Sequence, residues 1–229
     1  MNTKKPLSGA TCEGGAPKDD ARVRRTRLSL KKAILSLAAQ RDVADLSVSE
    51  LSRLVHINRA TFYAHAESPI TLLVKVLSDE LTALHERNIA LLKLDGFLSQ
   101  ANARRTMEEI VDHVLAHEPI YANHPTSSLL LRVVLVDHVE QSVLRLFNEG
   151  YCVPPLPGPA ASRLFSGFIA HGVIGAVEAW LKLPPPRDRQ LLIAAIEAVY
   201  PHWYAPENRQ PLPVVDASNN DAVSKSNSR

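Results

Sequence analysis

The sequence has few of the residues and motifs on which several protein classes depend. It contains two cysteines in 229 residues, Cys12 and Cys152, and neither belongs to a Cys-x-x-Cys pair. This excludes a disulfide scaffold and a thiolate zinc site, and it fits a reducing compartment. The sequence also has no GxSxG, GxGxxG, P-loop, HExxH or paired-carboxylate motif. An all-helical enzyme is therefore a remote alternative, and we expect no catalytic residues, cofactor or metal.

Glycines and alternating β-branched residues are also scarce. There are nine glycines, whereas Leu, Ala, Val, Glu and Arg recur at helical spacing, which predicts an all-α protein. The most apolar stretch, residues 164–183, contains His171 and Glu178, so we expect a buried helix there rather than a membrane span. Residues 1–20 lack the apolar core of a signal peptide, and we expect a cytoplasmic protein.

The charges are distributed unevenly along the chain. The formal net charge is only +2, but residues 1–75 contain 13 Lys or Arg against 7 Asp or Glu. Residues 76–229 contain 13 against 17. A basic first part joined to an acidic remainder indicates that the first part alone meets a polyanion, although a solvated basic tail gives the same imbalance.

Helical signals begin after a polar segment. Residues 1–20 are rich in Gly, Pro, Ser, Thr and Lys and are predicted to be a disordered tail. A basic run then leads into the first helix, whose apolar stripe has the spacing of one buried face. The basic run is Arg22, Arg24, Arg25 and Arg27, and the stripe is Leu30, Ala33, Ile34, Leu37 and Ala38.

Two short helices joined by a tight turn are predicted next. Ser47 and Glu50 form a capping-box pattern that begins a helix over residues 48–55, which should bury Val48, Leu51 and Val55. After three turn residues, Asn58 is a good N-cap for a helix over residues 59–65. This is helix-turn-helix spacing, which can present the second helix to a major groove.

The rest of the sequence reads as a larger helical domain. Ser68 and Pro69 begin a long helix that reaches about residue 94. Further helices are predicted at about 105–117, 127–149, 159–183 and 187–204, separated by prolines. We therefore expect a disordered tail (1–20), a helix-turn-helix domain (21–68), a ligand-sensing and dimerisation domain (69–204) and a second disordered tail (205–229).

The short third helix has side chains that are suited to contacting DNA. Ile57 and Phe62 should anchor it against Leu51 and Val55, which leaves the other side chains pointing outward or sideways. Those residues can contact bases and phosphates. They are Arg59, Ala60, Thr61, Tyr63 and His65.

Residues 27–73 resemble the DNA-binding domain of TetR/AcrR-type regulators. The resemblance rests on Thr-Arg-x₆-Ile-Leu-x-Leu, Leu-Ser-Val-x-Glu-Leu and Ile-Asn-Arg-Ala-Thr-Phe-Tyr-Ala-His. It covers about a fifth of the chain. A weaker similarity lies at residues 172–181, which resemble a late helix of the family's variable C-terminal half. The resemblance implies an all-α homodimer with an N-terminal helix-turn-helix, a long connecting helix and a C-terminal ligand-binding domain.

The resemblance also implies roles for single residues. Ser47 matches a position that often contacts phosphate, and Thr61, Tyr63 and His65 match positions that touch DNA backbone or base edges. Arg59 and Ala60 match the variable positions that set sequence preference, Arg59 through guanine and Ala60 through a thymine methyl group. Asn58 completes this set as the cap of the helix.

Three positions depart from the family pattern. His56 stands where a turn glycine is common, Ala66 stands where Phe is common, and Pro69 stands where Lys is common. Histidine tolerates the left-handed backbone better than bulky residues do. Losing the lysine removes one expected phosphate contact, which the basic run could replace. The alternative for the basic run is a solvated tail that precedes the helix.

A ligand cavity is predicted in the C-terminal domain. Aromatic and hydrogen-bonding side chains interrupt otherwise aliphatic helices, which suits an apolar cavity with a few polar groups. Ordinary core packing is the alternative for each of them. His113 and His117 are spaced as metal ligands could be, but we favour cavity or solvated histidines. The candidates are His113, His117, Tyr121, His138, Phe147, Phe168 and His171.

The last two helices, about 159–183 and 187–204, are predicted to form the dimer interface. Gly167, Ala170, Gly175 and Ala179 allow close helix packing, either with a partner or within one chain. Reading two half-sites favours the dimer. We therefore predict a repressor that a small-molecule effector releases from a pseudo-palindromic operator. The alternative is a constitutive or protein-partnered DNA-binding regulator.

Overall fold

The computed structural model describes residues 16–204 and is all-α within that range, as predicted. It contains nine α-helices and a 3-10 turn at Val43–Asp45, with no strand among the described residues. The helices are α1 (Ala16–Ala38), α2 (Val48–Val55), α3 (Arg59–Tyr63), α4 (Pro69–Asp95), α5 (Gln100–Ala116), α6 (Glu118–Asn123), α7 (Pro125–Asn148), α8 (Pro159–Leu181) and α9 (Arg189–Val199). The predicted tail at 205–229 lies outside the described residues.

The chain forms two compact units. Unit 1 contains the residues up to Leu77 together with His117–Leu131. Unit 2 contains Ser78–Ala116 and the residues from Arg132 onward. The division differs from the predicted domain boundary at residue 68, because the first nine residues of α4 and a second, distant segment belong to the same unit as the N-terminal helices.

Helix α1 begins earlier than predicted. The predicted tail covers residues 1–20, but α1 starts at Ala16, so the expectation of disorder is wrong for residues 16–20. Pro17 suits the first turn of a helix because its ring fixes φ at a helical value and the first N–H groups have no helical partner anyway. The remaining predicted tail, residues 1–15, lies outside the described residues.

The N-terminal helices pack around the predicted stripe of α1. Leu30, Ile34 and Ala38 are fully buried, Ala33 is nearly so, and Leu37 is half-buried. Helix α1 packs on α2, and α2 packs on α3. Other fully buried side chains complete the core of unit 1, and truncating a Phe at such a position costs about 3–5 kcal/mol. They include Leu51, Phe62 and Leu73.

One carboxylate joins the turn after α1 to the start of α7. Asp42 Oδ1 accepts from the Ala44 N–H at 3.0 Å, and Oδ2 accepts from the Thr126 N–H at 2.9 Å. Ser127 Oγ accepts from the Val43 N–H at 3.3 Å. Burial raises the pKa of Asp42, but the hydrogen bonds from Ala44 and Thr126 outweigh it and lower the pKa below its ordinary value. The second segment of unit 1 is thus held by polar contacts as well as by packing.

In the remainder of the chain the predicted helices are present with shifted ends. Helix α5 begins five residues before the predicted start at 105, α9 ends five residues before the predicted end at 204, and α6 was not predicted. Pro119 lies in the first turn of α6 and Pro125 begins α7. Because proline is compatible with the first turn of a helix, these prolines begin helices here rather than separating them.

Helix α8 is buried on one side only. It is the helix that, among the described residues, is long and apolar enough to cross a membrane, and 39% of its most apolar window is buried. The expectation of a buried helix therefore holds for about two fifths of that window. The buried side chains follow a helical period along one face: Ser166, Ile169, Ala170, Val173, Ile174, Val177 and Trp180.

Candidate nucleic-acid interface and ligand cavity

The two short helices of unit 1 are fixed by the caps that the sequence predicts. Ser47 Oγ accepts from the Glu50 N–H at 3.2 Å, and Asn58 Oδ1 accepts from the Thr61 N–H at 2.7 Å. The capping box is only half formed, because the Glu50 carboxylate pairs with the Arg41 guanidinium. Helix α2 has the predicted bounds, whereas α3 ends at Tyr63, two residues before the predicted end.

The turn between α2 and α3 depends on a left-handed residue. His56 has φ 56° and ψ 45°, and it is the non-glycine residue with positive φ in the described part of the chain. Its N–H donates to Arg53 O, and the Ile57 N–H donates to Ser52 O at 2.9 Å. These bonds satisfy the last carbonyls of α2 as a glycine cap would. The departure from glycine therefore leaves the turn intact.

Helix α3 presents one face inward and the other to solvent. Phe62 is fully buried, whereas Tyr63 is 56% exposed. Arg59 and Ala60 are also exposed. Ile57, like Val48 and Val55, is only half-buried, so the inward anchor is mainly Phe62 against Leu51.

Two of the predicted contact residues have internal roles. The Thr61 hydroxyl donates to Asn58 Oδ1 at 2.9 Å and so strengthens the cap. His65 is half-buried, and burial, with the nearby charges of Lys75 and Arg27, lowers its pKa. His65 is therefore neutral near pH 7 and can act as a hydrogen-bonding group rather than as a cation.

The basic run lies on α1 itself. The four arginines are part of the helix and are all exposed, so the interpretation as a tail that precedes the helix is wrong. Because the four residues are helical, their side chains point in different directions around α1 rather than following one extended arm. They are Arg22, Arg24, Arg25 and Arg27.

The structure adds a cation that the sequence analysis did not identify. Lys75 is exposed on α4, and its Nζ donates to His65 O at 3.4 Å, beside the end of α3. Its charge also acts on His65, as does that of Arg27. Lys75 comes six residues after Pro69, where the family's usual lysine is missing. The position of Lys75 beside α3 could not be predicted from the sequence, because periodicity alone does not show which face of α4 meets α3.

Unit 2 encloses a small, mainly aliphatic inner cavity of about 50 Å³. Helices α4, α5, α7 and α8 and the segment after α9 contribute its walls. Its polar lining groups are uncharged or histidine, and no Lys, Arg, Asp or Glu occurs among its described lining residues. The polar ones are His85, Asn88, Thr106, His138, Ser142, Tyr200 and Tyr204.

A wide open cleft of about 780 Å³ lies beside the inner cavity. His85, His138 and Ser142 line both spaces. The two imidazole rings are edge-to-face with centroids 6.0 Å apart. The cleft, unlike the cavity, has charged side chains, including Arg145 and Glu149. The two histidines therefore stand between a charged exterior and a neutral interior.

Burial keeps both of these histidines neutral. Burial, together with His85, lowers the pKa of His138 to about 4, and Asp137 acts in the opposite direction. Burial and the charge of Arg145 lower the pKa of His85, and Glu86 and Glu149 oppose this. Neutral imidazoles can each donate and accept one hydrogen bond.

Of the predicted cavity residues, only His138 lines the inner cavity. His113 is buried elsewhere in unit 2, with Nδ1 3.4 Å from Glu80 Oε2. Phe147 stacks near Trp203 with ring centroids 6.1 Å apart, and Phe168 and His171 are exposed on α8. His117 and Tyr121 belong to unit 1. These six residues do not line the inner cavity, and their predicted role in ligand binding stays a prediction, because helical periodicity does not distinguish a cavity wall from the core or from an exposed face.

Comparison with known proteins identifies the fold. No family model matches the sequence. The chain is 25% identical over 157 residues to the uncharacterized HTH-type transcriptional regulator YxbF of Bacillus subtilis. This match covers 68% of the chain but only 39% of that protein, so the chain spans about two fifths of its relative.

Solved structures match over a larger share of both chains. The fatty acid degradation regulator FadR of Bacillus halodurans has a TM-score of 0.52 at 12% identity, covering 76% of this chain and 93% of that one. FadR of Thermus thermophilus, a TetR-family transcriptional repressor solved with lauroyl-CoA, has a TM-score of 0.52 at 17% identity. It covers 75% of this chain and 90% of its own.

The described part of the chain is all-helical with an N-terminal helix-turn-helix, and its fold is that of the solved structures it matches. More particularly, it has the TetR-family fold. The resemblance seen in residues 27–73 is therefore confirmed for the fold. The relatives are named as regulators rather than as enzymes.

Proposed function

We propose that this protein is a sequence-specific DNA-binding transcriptional regulator that acts in the cytoplasm. It binds a pseudo-palindromic operator as a homodimer, and a small molecule in unit 2 releases it from DNA. YxbF and the FadR proteins, which it resembles, are regulators by name. The argument for this chain rests on its own residues.

One observation carries the proposal: α3 is anchored by a fully buried Phe62 while its neighbours Arg59, Ala60 and Tyr63 remain exposed. A five-residue helix is too short to be stable alone. Its two caps and its anchor therefore hold it in place for the side chains it presents. Arg and Tyr are suited to base edges and phosphates, and the exposed arginines of α1 add positive charge to unit 1.

Selection of bound DNA from a random duplex library tests the proposal directly. We expect an enriched sequence with two related half-sites about 34–36 Å apart, which is one helical turn, or a multiple of that distance. No enrichment over the starting library would contradict the proposal.

Tyr63→Ala then locates the contact surface. We expect this change to weaken binding of the selected duplex by about 1–2 kcal/mol, since it removes one contact and leaves the buried anchor in place. Leu94→Ala is the matched control, because Leu94 is 82% exposed at the far end of α4. Equal affinity of the two variants would exclude Tyr63 as a DNA contact.

The outer face of α8 supports the homodimer. Exposed apolar or small residues repeat there at helical spacing, opposite the buried face described above. A side chain built at Gly172 or Gly175 would meet no atom of the described residues within 4 Å, so packing within that part of the chain does not require these glycines. Ala170, by contrast, is fully buried and serves packing within the chain. The exposed set is Leu164, Phe168, His171, Gly172 and Ala179.

The outer face of α9 continues this apolar surface. Helices α8 and α9 pack on each other, and α9 also exposes apolar residues at positions i, i+3, i+4, i+7 and i+8. An exposed apolar patch of this kind on two adjacent helices is typical of an interface. A second copy of the chain would bury it as a four-helix interface. The residues are Leu191, Ala194, Ala195, Ala198 and Val199.

Sedimentation of the full chain tests the dimer. We expect a dimer for the unmodified protein and a monomer for Phe168→Glu, since Phe168 is 71% exposed on the outer face of α8. Leu94→Glu adds the same charge to an equally exposed leucine outside that face and should remain dimeric. A dimeric Phe168→Glu variant would contradict this interface.

The inner cavity supports ligand response rather than constitutive binding. It is mainly apolar with a few polar groups, as ligand sites are. By linkage, an effector weakens DNA binding only if it binds the DNA-free state more tightly. Thermal shifts across a metabolite library find such ligands, and a binding isotherm on the selected duplex with and without each hit measures the coupling. Hits that never change the DNA affinity would favour the constitutive or protein-partnered regulator.

A further inference from the structure

The inner cavity contains a buried acceptor that has no donor. Asn88 on α4 is 5% exposed and lines the cavity. Its Oδ1 atom has no hydrogen-bond partner among the described residues. A buried carbonyl oxygen without a donor is destabilising, by an amount comparable to a lost hydrogen bond. Such an atom in a cavity wall indicates a group that the cavity is shaped to receive.

Glu109 fixes the orientation of the Asn88 amide. Asn88 Nδ2 donates to Glu109 Oε2 at 2.9 Å. A carboxylate can only accept, so the amide nitrogen must face Glu109 and the oxygen must face away from it. The usual ambiguity between the two ends of an amide is thus removed by the neighbouring charge.

The remaining walls define the other properties of the occupant. The lining residues within the described part of the chain include no Lys, Arg, Asp or Glu, and burial keeps His85 and His138 neutral. An ionised ligand would lose its hydration in this space without gaining an opposite charge. The volume of about 50 Å³ is a few times the roughly 10–15 Å³ that a water molecule requires, so the occupant is compact.

From these three observations we infer that the inner cavity binds a compact, uncharged, mainly apolar molecule through a hydroxyl or N–H group that donates to Asn88 Oδ1. The inference rests on the proposed ligand response and names the chemical class of its effector. Asn88 acts as the specificity-determining residue, and Glu109 acts through it as a positioning residue.

A pair of six-membered rings of equal size provides the probe. Cyclohexanol offers a donor, whereas cyclohexanone has the same ring with an acceptor only. Cyclohexanecarboxylate adds a negative charge. In calorimetric titrations of the full chain, we expect cyclohexanol to bind about three- to tenfold more tightly than cyclohexanone, which corresponds to one net hydrogen bond. The carboxylate should show no binding at the same concentrations.

Substitutions at the amide test its role. Asn88→Leu keeps the volume but removes the acceptor, so the two neutral rings should bind within about twofold of each other. Asn102→Leu is the matched control. Asn102 is also buried, but its Oδ1 accepts from Ser99 Oγ and its Nδ2 donates to Asp95, and it does not line the cavity. This control should keep the preference for the alcohol.

Glu109→Gln gives a second test if Asn88→Leu does not fold. A glutamine side chain can donate to Asn88 Oδ1 as well as accept from Nδ2, so the amide is free to turn its nitrogen towards the cavity. We expect the alcohol preference to shrink or to reverse in favour of the ketone. A merely structural role for Glu109 would change both affinities together.

Three outcomes overturn the inference. They are equal binding of alcohol and ketone by the unmodified protein, no binding of either, and an unchanged preference in whichever of Asn88→Leu and Glu109→Gln folds. These titrations contain no DNA, and the duplex selection contains no ligand. Failure of the ligand class is therefore distinguishable from failure of the DNA-binding function.

Discussion

The guanidinium of Arg59 donates a hydrogen bond to the Ser49 hydroxyl, with 2.5 Å between Nη2 and Oγ. This contact ties the first residue of α3 to α2, the other helix of the pair. Both residues are exposed, so the guanidinium is oriented in advance and still accessible. An oriented arginine loses less conformational entropy when it binds a base edge.

Arg59→Ala should change base preference at one position in each half-site, by about 1–3 kcal/mol. Repeating the duplex selection with the variant measures this as a change at one column of the sequence logo. Ser49→Ala keeps the guanidinium but removes its orientation, so we expect the same preferred base with weaker discrimination. An unaltered logo for Arg59→Ala would show that this side chain does not read the sequence.

Lys75→Gln should weaken binding to all duplexes alike. Lys75 is exposed beside the end of α3, where it can meet a phosphate. Loss of one phosphate contact should reduce the slope of log affinity against log salt by about one. Fluorescence anisotropy across a salt series measures the slope. Lys93 is an exposed lysine near the other end of the same helix, and Lys93→Gln should leave the slope unchanged. A reduced slope for Lys93→Gln but not for Lys75→Gln would show that Lys75 does not make the phosphate contact.

His56→Gly should stabilise the protein. His56 adopts φ 56°, a conformation that costs most side chains about 1–2 kcal/mol, whereas glycine adopts it freely but gains entropy when unfolded. We expect the free energy of unfolding to rise by about 0.5–1 kcal/mol. His56→Val should lower the free energy of unfolding by about 1–2 kcal/mol, because β-branched residues tolerate positive φ poorly. Urea denaturation compares the three proteins, and equal midpoints for Gly and Val would contradict the role of the turn.

His138 should make stability depend on pH between about 4 and 6.5. Its pKa is about 4 in the folded protein and about 6.5 when unfolded. Above pH 6.5 neither state is protonated and the full stability is present. As the pH falls from 6.5 to 4, the unfolded state binds a proton that the folded state excludes, so stability decreases.

His138→Gln removes this part of the pH dependence. The difference in unfolding free energy between pH 7 and pH 5 should shrink by about 1–2 kcal/mol. His202→Gln, at an exposed histidine, is the control and should retain the difference. Parallel pH profiles for the unmodified protein and His138→Gln would mean that His138 is protonated alike in both states.

Local signals account for the accuracy of the predicted helix-turn-helix. Ser47, Asn58 and Ser68 each begin a helix through a hydrogen bond between residues three apart, which the sequence alone can specify. The apolar stripe of α1 likewise follows from the helical repeat of apolar residues in the sequence. Such features need no knowledge of distant contacts.

The cavity depends on contacts that a sequence does not display. Asn88 lies on α4, and its partner Glu109 lies on α5, 21 residues later. Only packing shows that one amide end is bound and the other is not. Phe168, one of the aromatic residues favoured for the cavity, lies on an exposed face that a single chain leaves uncovered. Periodicity predicts that a face is apolar but not what covers it.

The carboxylate of Asp42 has a consequence for building chimeric regulators. It binds amides at Ala44 and at Thr126, and the turn that carries it packs with a segment 84 residues further along the chain. A graft that exchanged only the first 77 residues between relatives would bring in a new turn but retain the original Thr126 donor and Ser127 acceptor at the start of α7. Recombination that keeps unit 1 whole must move residues 117–131 with the N-terminal helices, so unit 1 is inherited as two pieces of the gene rather than one.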